Sequence, residues 1–361
     1  MKNAGGPTGI QKASTRFSDG VIAEGGFATM ESFPGMPHHF APQYPYASFI
    51  AQAMLLPVKH QPSEVKFFTN TLRYNHAYWV TLDRLTQHNA ATQLTAIYDD
   101  GQPPPLPPGV AARRASAIAA GQPVEERPAH PPSLKITAVN IDALTLRLGD
   151  AGIPLDGKVP LTIEGTEIPS SALAPVVYLA RADGTWRSVS KPDVRPSAKR
   201  HGVQGPISDA FNSKFLAVYG ESDRELAIAE LDAIRNPPSN LAINGEFPMK
   251  VATKVTMDDI ASSNLILFGT PSSNPLLGRL APKLPAKWIA GATGSADGVV
   301  FVHPNPESPD HYVVVWSTRV LSMPNHGLRS GWMMPLNLLP DYALVKAGKI
   351  AEAGHFDSDW K

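Results

Sequence analysis

The sequence predicts an α+β multidomain protein: an antiparallel β-sandwich-like domain followed by a small α/β domain, flavodoxin-like with a mostly parallel sheet. Three observations lead there. Short β-branched and aromatic runs, separated by Gly, Pro and Asp turns, fill residues 63–190; that texture belongs to an antiparallel sandwich. From residue 191 onward, apolar runs alternate with helical periods, which marks parallel strands joined by helices. Residues 1–62 carry neither texture. Gly5, Gly6, Gly9, Gly20, Gly25 and Gly26 punctuate them, and Pro34, Pro37, Pro42, Pro45 and Pro57 interrupt any long helix.

Within residues 1–62, only Tyr46 to Leu56 suggests a helix, short and apolar, starting just after Pro45. Phe49, Ile50, Met54 and Leu55 give it a face that needs another surface or a second chain, so a homo-oligomer through residues 46–56 is expected. The sandwich strands are read at Val65–Thr69, Ala77–Thr81, Gln93–Tyr98, Leu134–Thr137, Leu144–Leu148, Val159–Ile163 and Val176–Ala180. The Pro-rich insert 101–132 reads as an exposed loop, extended or mobile. In the third segment, Phe215–Tyr219 is a strand buried on both faces, ending at Gly220. Ser222 to Glu225 has the capping-box spacing ahead of a helix carrying Leu226, Ala229 and Ala233, with Ile228, Leu231 and Ile234 beside them. Thr256-Met257-Asp258-Asp259 starts a second, short helix, and Leu265–Gly269 follows as strand and turn. Asn274-Pro275 fits the N-cap and first helical position of a third. Val299–Val302 and Tyr312–Trp316 are the last two strands read.

Composition narrows the chemistry. The 361 residues hold 32 Lys+Arg against 32 Asp+Glu, and no cysteine. Zero formal charge gives no global field for nucleic acid or an acidic membrane, so neither partner is expected. Without cysteine there is no disulfide, thiol nucleophile or thiolate-held metal. No apolar run reaches the ~20 residues of a spanning helix, and the N-terminus shows no signal-peptide core, so the default location is cytoplasmic. The 36 prolines are about twice ordinary usage. G-x-S-x-G, the P-loop and H-E-x-x-H are all absent. Asp99-Asp100 and Asp357-Ser358-Asp359 lack a calcium loop's full ligand series, and no cofactor is expected.

One resemblance adds to this. KFFTNTLRYNHAYWVTLDRL (66–85), ITAVNIDALTLRL (136–148), KRHGVQGPISDAFNSKFLAVYG (199–220), TKVTMDDIASSNLILFGTPSSNPLL (253–277), HPNP (303–306) and LPDYALVKAGKIAEAGHFDSDW (339–360) resemble, in that order, the downstream region of large bacterial prolyl-oligopeptidase-like α/β hydrolases. The Pro-rich insert has no counterpart. The resemblance implies that residues 1–62 are the end of a hydrolase domain, with His38 at the position of the triad histidine and His39 as a near alternative. A nucleophilic serine and its acidic partner would lie upstream, and only 37 residues precede His38; a histidine without a serine has nothing to activate. The expectation is a chain lacking its catalytic front.

Two functional readings follow. The first is a non-catalytic accessory region of a peptidase- or esterase-like serine hydrolase, used for packing, gating or partner contact. The second is a stand-alone hydrolase of a small ester, lactone or amide. Its site would lie beyond strand 265–269, where Thr270, Ser272, Ser273 and Asn274 offer hydroxyl and amide groups and His303 and Asn305 approach from a neighbouring strand.

Overall fold

The computed structural model describes residues 9–23, 50–51, 54–55, 62–103, 108–125, 129–156, 159–169, 174–192, 194–195, 197–236, 246–292, 297–323 and 335–361. His38, His39, Phe49 and most of the 46–56 segment lie outside them. The chain divides into two units, Met1–Lys59 and His60–Lys361.

The first unit holds a helix, Gly9–Ala23, in a stretch whose glycines argue against one. Gly20 sits inside this helix with open space where a Cβ would stand. It therefore costs only its intrinsic penalty, about 1 kcal/mol, and the Ile-Gln-Lys-Ala run supplies helix formers. Ile50 and Met54 are helical, and with Leu55 they are exposed.

The second unit begins with ten strands: β1 (Glu64–Thr69), β2 (His76–Ala77), β3 (Val80–Leu85), β4 (Thr92–Asp99), β5 (Ser133–Val139), β6 (Ile141–Leu146), β7 (Leu161–Ile163), β8 (Thr166–Ile168), β9 (Val177–Ala182) and β10 (Thr185–Val189). They form two five-stranded sheets, β1-β4-β5-β7-β8 and β10-β9-β6-β3-β2. All pairings are antiparallel except β5 with β7. Alternation does the sorting: Leu134, Ile136 and Ala138 of β5 point inward while Lys135, Thr137 and Val139 face out. The inward side chains of both sheets, with Trp79, Leu94, Leu144, Leu161 and Trp186 among them, share one core. The run read as a single strand at Ala77–Thr81 is broken by Tyr78, whose φ of 52° kinks the chain and lets Trp79 turn inward.

The Pro-rich insert is not all loop. Pro108–Ala119 is a helix, because Val-Ala-Ala-Arg-Arg-Ala-Ser-Ala-Ile-Ala is rich in strong helix formers and Pro108 stands at its first turn.

Seven further strands make one sheet: β11 (Phe215–Tyr219), β12 (Met249–Val251), β13 (Asn264–Phe268), β14 (Gly298–Asn305), β15 (Ser308–Trp316), β16 (Tyr342–Lys346) and β17 (Lys349–Gly354). Their order is β12-β11-β13-β15-β14-β16-β17. The first four are mutually parallel; β14, β16 and β17 pair antiparallel. The sheet is thus mixed rather than mostly parallel. Pro306-Glu307 turns β14 directly back into β15, and a connection that short permits only an antiparallel pair.

Local signals hold at two helix starts. Thr256 and Asp259 form a reciprocal capping box ahead of Met257–Ser262, and Lys250 with the Thr256 groups pulls the Asp259 carboxyl down to about 2. Asn274 caps Pro275–Leu280. The expected box at Ser222–Glu225 does not form: Glu221–Asp223 is a 3-10 turn, and Asp223 makes no side-chain cap to the helix Arg224–Arg235. That helix instead buries Glu230, whose carboxylate accepts from the backbone N–H groups of Val320, Leu321 and Ser322.

The all-β part and the α/β part keep separate cores yet belong to one unit. Polar groups join them. Ser358 donates its hydroxyl to the carbonyls of Leu85 and Thr86, His201 Nδ1 lies 2.9 Å from the Leu72 carbonyl, and Arg73 pairs with Asp209.

Candidate functional site

The seam between the two parts holds a cleft of about 320 Å³, lined by Arg73, Tyr74, His201, Gln204, Asp209 and Tyr312 among others. Each part places its own share. Arg73 sits in a 3-10 turn, Leu72–Tyr74, started by the Thr71 hydroxyl and anchored by the fully buried Leu72. Asp209 comes from a second 3-10 turn, Ile207–Phe211, and Tyr312 from β15.

Asp209 is the hub. Its Oδ1 takes the Arg73 guanidinium; its Oδ2 accepts from Gln204 Nε2 at 2.5 Å and from the Tyr312 hydroxyl at 2.7 Å. The Tyr312 oxygen in turn accepts from the backbone N–H groups of Gln204 and Gly205 at 2.7 and 3.0 Å. Burial first, and then Asp209, pushes the Tyr312 pKa well above 10, so the phenol stays protonated and donates. Asn212 Nδ2 adds a longer contact to Oδ1, at 3.5 Å, and a buried carboxylate met by several donors is stable only as a complete network. One atom is left over: Gln204 Oε1, buried, has no partner among the described residues.

Beside this cleft lies a second buried cluster. Lys199 and Asp341 form an ion pair whose side chains are both 0% exposed. Asp341 also accepts from the Phe356 N–H at 2.9 Å, and the Lys199 ammonium lies 5.0 Å from the Trp360 ring centroid. Burial lowers the Lys199 pKa against the pull of Asp341. His88, from the β3–β4 connection, is buried nearby; burial first and Lys199 second hold it neutral, down to about 3. Gly205 closes over the pair: at a φ of 80°, an added Cβ would collide with Asp341 Oδ1, so only glycine fits.

The residues singled out from sequence divide between opposite ends of the sheet. Phe268 pairs with Trp316, so Thr270, Ser272, Ser273 and Asn274 follow that edge. His303 pairs with Val313, level with Leu265, and Asn305 lies further on. His303 and Asn305 therefore do not approach the Thr270 loop, because β14 runs antiparallel. Each has a local partner, while Asn305 Nδ2, buried, has none among the described residues. Asn305 Oδ1 accepts from Glu307 N in the hairpin turn, and His303, its pKa lowered by burial, packs near Trp360 with ring centroids 5.8 Å apart.

The Thr270 loop is tied together internally. Thr270 Oγ1 lies 2.8 Å from Ser272 Oγ and 3.0 Å from Ser273 Oγ. Asn274, fully buried, donates to the Val218 and Phe268 carbonyls and accepts from Leu276 and Leu277 N–H. It is a structural cap. Asp223 reaches this loop between the ends of β11 and β13, where Gly220 and Gly269 leave room that a Cβ would fill. Burial raises its carboxyl, and the Ser273 hydroxyl partly offsets the rise.

Sequence reasoning missed the Asp209 cleft. Its members stand far apart in the chain: 136 positions separate Arg73 from Asp209, and 103 separate Asp209 from Tyr312. Among the described residues, no serine hydroxyl bonds a histidine ring, no group of three or more His, Asp or Glu could hold a metal ion, and no helix is long and apolar enough to cross a membrane. No family model, curated protein sequence or solved structure matches the chain.

Proposed function

We propose that this chain is a non-catalytic accessory region of a peptidase- or esterase-like serine hydrolase, serving packing, gating or partner contact. In this reading the two five-stranded sheets make a sandwich-like pair, and β12-β11-β13-β15 make the flavodoxin-like half of the large sheet. The observation that supports it is the seam. Arg73, His201 and Ser358 are each bonded across it, to Asp209, Leu72 O and the Leu85 and Thr86 carbonyls. Groups committed in this way hold two parts as one body rather than waiting on a substrate. The test is a fluorophosphonate serine probe on the full chain, read by intact mass. No adduct is expected; stoichiometric labelling of one serine overturns the reading.

A second reading, hydrolysis of a small ester, lactone or amide, draws on one observation. The Asp223 carboxyl, raised by burial, sits beside the Ser273 hydroxyl between β11 and β13. The chain leaves β11 for β12 on one side and β13 for β14 on the other, the switch point at which open α/β sheets gather ligands. On this reading Asp223→Asn and Ser273→Ala abolish ester turnover with melting preserved; on the accessory reading there is no turnover to lose.

A further inference from the structure

We propose that Ser116 is a phosphorylation site for an arginine-directed serine kinase that uses a nucleoside triphosphate, and that the insert 101–132 is the arm presenting it. The arm is separate from the body it leaves. On either side of it, β4 and β5 pair in unbroken register from Gln93 with Val139 to Asp99 with Ser133. Beyond that ladder, the His130 N–H donates to the Gly101 carbonyl at 2.9 Å. Gly101 has a φ of 77°, and a Cβ there would strike the His130 carbonyl oxygen, so the base of the arm is pinned at a glycine. A change between those two residues leaves the sheets unstrained.

The helix Pro108–Ala119 rises from this base with no surface packed against it. From Gly109 to Ala119, only Arg114 and Ala117 are even partly covered, and no side chain among them belongs to either core. An isolated helix of 12 residues is marginal in water, and a segment with so few buried contacts opens at little cost. That matters for modification. A kinase must bring the hydroxyl inside its own cleft, and a segment that unwinds is able to enter.

Charge supplies the address. The chain as a whole is balanced, yet this helix carries Arg113 and Arg114 and no acid. Neither arginine has an ion pair among the described residues, so both guanidinium groups are open to a partner. The exposed Ser116 follows them by three and two positions, between Ala115 and Ala117, which are too small to screen its hydroxyl. Carboxylates read guanidinium groups bidentately. The complementary cleft is therefore one that sets Asp and Glu beside its phosphoryl-transfer centre.

The step balances between chain and nucleotide. Ser116 Oγ attacks the γ-phosphorus in line, and the bond from that phosphorus to the bridging oxygen breaks. The nucleoside diphosphate leaves with the electron pair, and the hydroxyl proton passes to the kinase's base. The product carries about two negative charges at neutral pH. Arg113, three positions earlier, is a neighbour on the helix face, so the arm changes from doubly positive to nearly neutral. The proposal is independent of the accessory reading, since Ser116 is an acceptor and not a catalytic nucleophile.

The test incubates the full chain with magnesium ATP and the catalytic subunit of cAMP-dependent protein kinase, an arginine-directed enzyme. Intact mass and peptide mapping read the product. One phosphate per chain is expected, on Ser116, and Ser116→Ala should remove it. Arg113→Ala and Arg114→Ala should each slow labelling by at least about ten-fold, the size of one lost polar contact. Melting should stay unchanged in all three variants, because the helix packs on nothing. A kinase directed by acidic residues should leave Ser116 unmodified. No phosphate, another serine labelled first, equal rates in the arginine variants, or equal labelling by the acid-directed kinase each overturns the proposal.

Discussion

Replacing Asp341 with asparagine is expected to remove about 3–5 kcal/mol of stability, the cost of leaving one member of a buried ion pair alone. The reason lies with Lys199. Its side chain is 0% exposed, and Asp341, ahead of Asp357, opposes burial in keeping it charged. The amide oxygen introduced by Asp341→Asn would still accept from Phe356 N–H, so the loss isolates the charge. A double variant, Lys199→Met with Asp341→Asn, removes the stranded charge and should recover more than half of the loss, because apolar replacement of a buried pair is often neutral. Urea denaturation of the three proteins checks this. An Asp341→Asn variant as stable as the parent, or a double variant worse than the single, contradicts it.

The second large effect is acid sensitivity through His88. Held neutral down to about 3 in the folded chain, against 6.5 unfolded, it lets the unfolded state bind the extra proton between those values. Stability therefore falls as pH drops below about 6.5 and levels off near 3. Burial is the largest cause and Lys199 the second; Asp341 opposes them and His355 adds to them. At 1.36 kcal/mol per pH unit, moving from about pH 7.5 to about pH 5 should cost roughly 2 kcal/mol through this one group. His303, also lowered by burial, contributes with the same sign, so single His88→Gln and His303→Gln variants are compared. His88→Gln should flatten the pH dependence more than His303→Gln does. An unchanged slope in His88→Gln would show that His88 is not the source of the acid sensitivity.

Neither residue announces itself in the sequence. Lys199 and Asp341 are 142 positions apart, and nothing in a sequence distinguishes a lysine that will be walled in from one that will be solvated. What is legible is local. The strand Phe215–Tyr219 is found at the bounds its continuous apolar run suggests. The Thr256 box and the Asn274-Pro275 cap form because each depends on residues three or fewer positions apart. Alternation places β4 and β5 within two residues of their ends.

The misreadings share a different cause. Val299–Val302 is a strand, but its direction depends on the turn after it. Asn305-Pro306-Glu307-Ser308 is a tight-turn sequence, and such a turn reverses the chain. A parallel β14 would bring His303 beside Thr270, and the true pairing with Val313 separates them. In the insert, the prolines mask the alanine-rich stretch they flank. The Ser222 spacing fits a capping box, yet Asp223 is drawn to the loop at Gly269 and Ser273, and a tertiary contact outcompetes a local cap.

Both the accessory reading and the Asp209 cleft require the all-β and α/β parts to behave as one body across the seam. Differential scanning calorimetry of the full chain tests that most directly. The two cores are expected to melt together in one transition, with calorimetric and van't Hoff enthalpies for residues 60–361 in agreement. Two separable transitions, one for each core and unshifted relative to each other by Asp341→Asn, would contradict it.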